Sequence, residues 1–401
     1  MKLYTDRFIL TPGPTEIPHC VRMALARETT NPDLDPEFLN EYNKVRGMLK
    51  DLLGAHSASI YVMVGEAVLG LEAAVANLVK PGCKVLVVAN GVFGEGFADI
   101  VKAYRGIPIL VGARDDEWRR GIEVSVIDRE LERNKDISIV TLVHCDTPSA
   151  ILNDLPSVAK VVKEREALLI VDAVSSIGGV PIEFDKNKVD VLIGGSQKVL
   201  NAPAGLTIMA ISKAAWEAIY RTNYSGLYLN LRTWMESLDV HGVFPYTMSD
   251  VLVYALEEAL KMLFNEGLDN VYKRHLMARR ASWRAVEALE LTPFPASIND
   301  SSPTVTAFLT PSGISDGELR DYVWRKYGVM LAGSWGRLQG RDASRQLGRL
   351  QGRVIRVGHM GVQASRAHLL IAYTALAKAL KDLGRKVSIS KVVDAIEDEF
   401  S

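Results

Sequence analysis

Six short apolar runs alternate with amphipathic stretches across the middle of this chain, and that alternation constrains its fold more than any other feature. The runs are SIYVMV (59–64), KVLVVAN (84–90), ISIVTLVH (137–144), ALLIVD (167–172), VDVLIGG (189–195) and GLTIMAIS (205–212). They are continuous rather than alternating apolar and polar, which is the pattern of strands buried on both faces. Between them lie EAVLGLEAAVANLV (66–79), GFADIVKAYR (96–105) and LPSVAKVVKERE (155–166), spaced as helices are. Strands that alternate with helices predict an α/β fold with a mostly parallel sheet between helix layers.

The pattern changes after a predicted helix at 250–265. A second long helix, then the strand-like TVTAFLT, the helix-like GELRDYVWRKY, the strand-like RVIRVGH and a helix over 364–383 point to a smaller α+β unit. The chain of 401 residues is long enough for two domains. We expect an N-terminal arm at 1–20, where TPGPTEIP is too rich in proline for a helix, a large domain at 21–266 and a small C-terminal domain at 267–401. GRLQGR occurs at 336–341 and again at 348–353. It reads as a tolerated surface-loop duplication, or as a basic lid beside a site.

A net charge of −1 carries no footprint for nucleic acid or an anionic membrane. No run of 18 uncharged apolar residues exists, so no membrane span is expected. Cys20, Cys83 and Cys145 are scattered and odd in number, which fits a reducing, cytoplasmic setting rather than a disulfide framework. No His/Cys cluster has zinc spacing, and no metal is expected.

In an open α/β sheet, ligands bind beyond the carboxyl ends of the strands. The polar residues placed there are Glu66, Asn90, His144, Asp146, Thr147, Asp172, Ser196, Gln197 and Lys198, together with Phe93. Lys198 stands alone as a cation in GGSQKVLNAPAGL (194–206), between two buried strands. A lysine in a low-dielectric site loses its proton more easily, and the neutral amine attacks aldehydes. A carboxylate such as Asp172 can hold a protonated ring nitrogen. An aldehyde cofactor, a lysine that attaches it and an aspartate at its pyridine nitrogen together describe pyridoxal phosphate chemistry. Plainer roles are open to the same residues: a water-facing loop lysine, a helix cap for Asp172 and core packing for Phe93.

The chain also resembles a known family over nearly its whole length. VDAVSSIGG (171–179) followed by GGSQKVLNAPAGL resembles the class V, fold-type I aminotransferases, and within them the alanine/serine–glyoxylate (or pyruvate) aminotransferases. LTPGPTEIP (10–18) is similar to that family's N-terminal arm, and GLEAAVANLVKPGCKVLVVANGVFG (70–94) to its first helix, next strand and ring-stacking turn. HCDTPSAILNDL (144–155) resembles its loop beside the ring, and RVIRVGHMG (353–361) its substrate-carboxylate segment.

The resemblance implies pyridoxal 5′-phosphate as cofactor. It makes Lys198 the Schiff-base lysine, Asp172 the pyridine-nitrogen partner, Phe93 the stacking aromatic, Thr147 the hydroxyl beside the ring and Gln197 a neighbour of the phosphate. Arg356 becomes the grip on the substrate carboxylate, a task suited to a bidentate guanidinium, with Gly13 of the arm beside the substrate. Thr247, in FPYTMSD, would reach the phosphate of a partner subunit, so the resemblance implies a homodimer with its active site at the interface.

Two positions depart from the family. Where a small Ser/Gly/Thr trio commonly cradles the phosphate, this chain has Glu66, Ala67 and Val68. A carboxylate favours the same positive helix end that a phosphate does, and we expect Glu66 to turn away and serve as a helix-end charge. Phe244 stands where a tyrosine is common, with Tyr246 close by.

The activity implied is transfer of the amino group of alanine or serine to glyoxylate or pyruvate. Ureidoglycine–glyoxylate and pyridoxamine–pyruvate transaminases, a lyase and a cysteine desulfurase share the fold. A desulfurase needs a reactive cysteine in the C-terminal half, and every cysteine here precedes residue 146. A nicotinamide dehydrogenase would need G-x-G-x-x-G, whereas NGVFGEG (90–96) reads G-x-x-G-x-G.

Overall fold

The computed structural model describes residues 7–114, 116–334, 350 and 352–401. Seven strands form the main sheet: β1 (Ser59–Val64), β2 (Lys84–Val88), β3 (Ile107–Val111), β4 (Ile139–Val143), β5 (Leu168–Asp172), β6 (Val191–Gly195) and β7 (Leu206–Ile211). Their order across the sheet is β1-β7-β6-β5-β4-β2-β3. Only β7 runs against its neighbours, pairing antiparallel with both β1 and β6. Every residue of β4, β6 and β7 is buried, as their continuous apolar runs require.

All six runs read from the sequence are strands. β3, IPILV, went unread. It carries Pro108 and exposes Ile107 and Leu110, as befits a strand at the sheet edge, where a missing N–H costs no ladder bond.

Helices Val68–Leu78, Val92–Ala103 and Leu155–Glu164 leave the carboxyl ends of β1, β2 and β4 and pack back over the sheet. This connectivity gathers the segments after β1, β2, β4, β5 and β6 along one edge, the place where such sheets bind ligands.

A second, three-stranded antiparallel sheet contains β8 (Val305–Leu309), β9 (Ala332–Gly333) and β10 (Val354–Gly358), with β10 in the middle. Helices Leu268–Ala288, Asp316–Tyr327, Arg366–Asp382 and Ile389–Phe400 supply the side chains that cover it. The last of these was not read from the sequence. Gly267, at φ 84°, separates helix Asp250–Glu266 from helix Leu268–Ala288, so two predicted helices follow with almost no loop.

The buried apolar side chains divide accordingly: one large cluster runs from Val21 to Val271, and another joins Leu10 to residues between Ala278 and Ile396. The N-terminal segment ties the two regions together. Phe8–Ile9 pairs in parallel with Val329–Met330, and Leu10 accepts a bond from the N–H of Gly358 at 2.7 Å. Residues 336–341 of the GRLQGR duplication, with 348, 349 and 351 of the second copy, lie outside the described residues.

Candidate active site

Lys198 lies three residues beyond β6 and is 8% exposed. Its Nζ donates to the carbonyl of Pro12 at 2.9 Å. The arm is fixed over it by Thr15, whose N–H donates to the Gln197 carbonyl at 3.1 Å and whose hydroxyl donates to the Lys198 carbonyl at 2.8 Å. Asn201, at φ 53°, completes the clasp: its amide donates to Thr15 Oγ1, and its Oδ1 accepts from the Val362 N–H. Gly13, at φ 103°, leaves the space the lysine needs, since a Cβ there would stand 2.6 Å from Nζ. Burial, and next to it the positive Arg356, lower the Lys198 ammonium to about 8. A useful fraction is therefore the nucleophilic neutral amine near neutral pH.

Asp172 ends β5 and is 5% exposed. Its Oδ1 accepts the N–H of Val174, and burial raises its carboxyl to about 7. A carboxylate so poorly solvated calls for a cationic partner, and a pyridinium N–H is one. The cap role open to Asp172 is met in part by the Val174 bond.

Asp146, read as one of the strand-end polar residues but assigned no role there, organises the turn that carries Phe93. Its Oδ2 accepts the backbone N–H of Phe93 at 2.8 Å, and its Oδ1 accepts from the N–H and hydroxyl of Ser149. This bond fixes the first turn of helix Val92–Ala103, from which Phe93 projects. Gly91 gives Asp146 room, because a Cβ there would lie 2.3 Å from its carboxyl carbon.

Thr147 is fully buried, and its hydroxyl has no partner among the described residues; the same holds for Oε1 of Gln197. Orphaned polar atoms of this kind mark where a ligand's polar groups belong.

Two strand-end residues do not join this group. Asn90 exchanges bonds with Asn153 and donates to the Arg120 carbonyl, bracing a loop. His144 is buried against Ser176, and burial lowers it to about 4, so it is a neutral structural group.

Arg356 sits at the centre of the second sheet, opposite Ala307 on β8 and Ala332 on β9. It is 6% exposed and its Nε donates to the Gly333 carbonyl at 2.9 Å. Burial lowers it to about 10, so it stays charged at neutral pH. Arg356 and Gly13 both line a cavity of about 630 Å³, together with Thr11, Thr15, Arg320 and Ser334. Gly13 lies against the Lys198 side chain, so the wall of this cavity that faces Arg356 adjoins the lysine.

Around Glu66 the structure differs from expectation. The side chain does act as a helix-end charge, but it does not turn away. Its Oε2 accepts the Val68 N–H at 3.0 Å, and its Oε1 accepts from Nε2 of Gln197 at 2.9 Å. Ala67 is buried and Val68 exposed at the start of the helix. Thr247 is exposed, and its hydroxyl donates to Asp33. Phe244 packs against Phe38 and Tyr42, while Tyr246 donates to the Leu227 carbonyl.

A parallel sheet that delivers a buried lysine and a buried aspartate to one edge, faced by an arginine from a second sheet, defines a fold-type I aminotransferase. The profile of the class-V aminotransferases matches residues 8–337, and the chain belongs to that family. It is 34% identical to the pyridoxamine–pyruvate transaminase of Mesorhizobium japonicum over 96% of this chain and 94% of the relative. It is 32% identical to the serine–glyoxylate aminotransferase of Methylorubrum extorquens over 95% and 92%. The crystal structure of ureidoglycine–glyoxylate aminotransferase from Bacillus subtilis superposes with a TM-score of 0.89 at 26% identity, covering both chains completely. The cofactor of this family is pyridoxal 5′-phosphate, and its members move an amino group between an amino acid and an oxo acid. The ring end of the site fits that group through Lys198, Asp172 and Thr147. The phosphate end does not, because the helix-end N–H of Val68 and the Gln197 amide already hold a carboxylate.

Proposed function

We propose that the protein transfers the amino group of alanine or serine to glyoxylate or pyruvate. The observation that carries this reading is the position of Gly13, which lines the same cavity as Arg356 and lies against the Lys198 side chain. A short 2-oxo or 2-amino acid has one carboxylate, and a buried guanidinium fixes it with direction as well as charge. Glyoxylate or pyruvate also recurs in the names of the relatives.

The bound pyridoxal ring supplies an electron sink when the substrate Cα–H bond breaks. With that group bound, Asp172 would hold a proton on the ring nitrogen. Lys198 would take the substrate Cα proton and return it. Arg356 holds the carboxylate so that this proton faces Nζ, and the arm, clamped by Thr15 and Asn201, keeps water from the lysine.

We further read the chain as an arm, a large and a small domain divided near 20 and 266, in line with its two principal apolar clusters. It would act as a cytoplasmic homodimer in which Thr247 serves the partner's site, a reading supported by the exposure of Thr247. Its three cysteines are free, and Cys145 is buried against Ser302, which leaves no support for a desulfurase.

The reading is tested by incubating the protein with alanine and either pyridoxal or its phosphate, and following pyruvate with a coupled lactate dehydrogenase. Pyruvate should form, and Lys198→Ala should remove at least about 10³ of the rate. No pyruvate from alanine and no hydroxypyruvate from serine, with either form, would overturn it.

A further inference from the structure

The phosphate-binding place of this fold is the start of helix Val68–Leu78, and here a side chain of the protein fills it. Glu66 takes the Val68 N–H on one carboxylate oxygen and the Gln197 amide on the other. Ala67 brings no side-chain donor and makes no cap bond. Gln197 is 4% exposed, and its orientation follows from Glu66: a carboxylate accepts only, so the NH₂ group faces it and Oε1 is left without a partner. The acceptors at this helix end are therefore the Glu66 carboxylate and the buried, unpartnered amide oxygen of Gln197. Both call for a hydrogen-bond donor. A phosphate is all acceptor and carries close to two negative charges, so it meets repulsion at both atoms. A hydroxymethyl group carries one O–H donor and no charge.

We propose that Glu66 occupies the position of the 5′-phosphate and selects the unphosphorylated pyridine aldehyde and amine, pyridoxal and pyridoxamine, which enter and leave as substrates. This rests on the reading of Lys198 as the amino-transfer lysine. The reaction is then pyridoxamine plus a 2-oxo acid giving pyridoxal plus the amino acid. The bond from nitrogen to the ring's exocyclic carbon breaks and a bond from nitrogen to Cα forms. The exocyclic carbon is oxidised by two electrons and the oxo-acid carbon is reduced by the same two. Lys198 carries a proton from the first carbon to the second, and the water lost when the amine and oxo acid join is taken up again on release of pyridoxal. Without phosphate contacts the ring is held by Lys198, Asp172 and packing, consistent with a group that exchanges.

The test is equilibrium titration of the purified protein with pyridoxal and with pyridoxal 5′-phosphate, followed by the visible absorbance that appears on attachment to lysine. We expect wild type to bind pyridoxal at least about 10²-fold more tightly than the phosphate. Glu66→Ser should improve phosphate binding by about 10-fold or more while still capturing pyridoxal, which shows that it is folded. Glu66→Gln, which keeps an acceptor for the Val68 N–H, should fall between. Tighter binding of the phosphate by wild type overturns the inference and leaves the transaminase reading intact. A pyridoxal preference that neither variant changes overturns the assignment to Glu66. Capture of neither compound would instead contradict the reading of Lys198 on which the inference stands.

Discussion

Lys198 Nζ donates to the Pro12 carbonyl across 186 residues of sequence. The cation at the end of β6 is thus aimed by the N-terminal arm rather than by its own loop. Gly13 follows Pro12, and its missing side chain is what lets the lysine lie there. Gly13→Ala puts a Cβ 2.6 Å from Nζ at a φ of 103° that alanine rarely adopts. We predict a loss of roughly 10² in the amino-transfer rate, because small misplacements of a reacting group cost that much. Gly96→Ala is the control. Gly96 lies inside helix Val92–Ala103 with nothing within 4 Å, so its variant should keep full rate and gain a few tenths of a kcal/mol in stability. Equal rates for both variants would show that the arm does not position the lysine.

In the proposed reaction Arg356 would hold the substrate carboxylate, and its charge is felt at Lys198. Arg356→Lys loses the planar fork, so KM for the amino acid should rise about 10²-fold with a smaller change in kcat. Arg356→Met removes a positive charge that helps lower Lys198 to about 8. The pH at which pyridoxal capture levels off should therefore move upward from about 8 in the Met variant. Stopped-flow capture rates between pH 6 and 10 check this. An unchanged midpoint would mean that the guanidinium is not felt at the lysine.

Asp172 makes a stability prediction with a definite sign. Its carboxyl is raised from 3.8 to about 7, so the folded protein holds this proton more tightly than the unfolded chain does. The stability this gives is complete below pH 4 and is lost as pH rises through 7. In apoprotein stripped by dialysis, Asp172→Asn should raise the unfolding free energy by up to roughly 4 kcal/mol at pH 8 and by little near pH 4. The same variant should lose transaminase rate, since the amide cannot hold a charged ring nitrogen. Denaturant melts at the two pH values decide it, and equal shifts at both would contradict the burial of an ionised group there.

Much of this was legible in the sequence for one physical reason: charges stand out against apolar runs. Asp172 ends a buried strand, Arg356 interrupts one and Lys198 follows one by three residues, so their desolvation cost flagged them before any geometry was known. β3 was not legible, because a proline and two exposed residues at the sheet edge erase the apolar signal. Helix Ile389–Phe400 does carry signals, a Ser388 cap and buried Val392 and Ile396, but it follows another helix in a region that reads as polar. Asp146 was legible as a strand-end polar residue, but its role was not, because its partner is the backbone N–H of Phe93, 53 residues away, and backbone donors leave no mark in a sequence. The Glu66–Gln197 bond spans 131 residues and links two side chains that looked like separate features.

The central claim, that Lys198 is the amine that holds the pyridoxal ring, is tested most directly by borohydride reduction. Protein incubated with pyridoxal or its phosphate is reduced, digested and mapped by mass spectrometry. The account predicts one stoichiometric adduct on the peptide that contains Lys198, absent from Lys198→Ala. An adduct on a different lysine, or stoichiometric labelling that survives in Lys198→Ala, would contradict it.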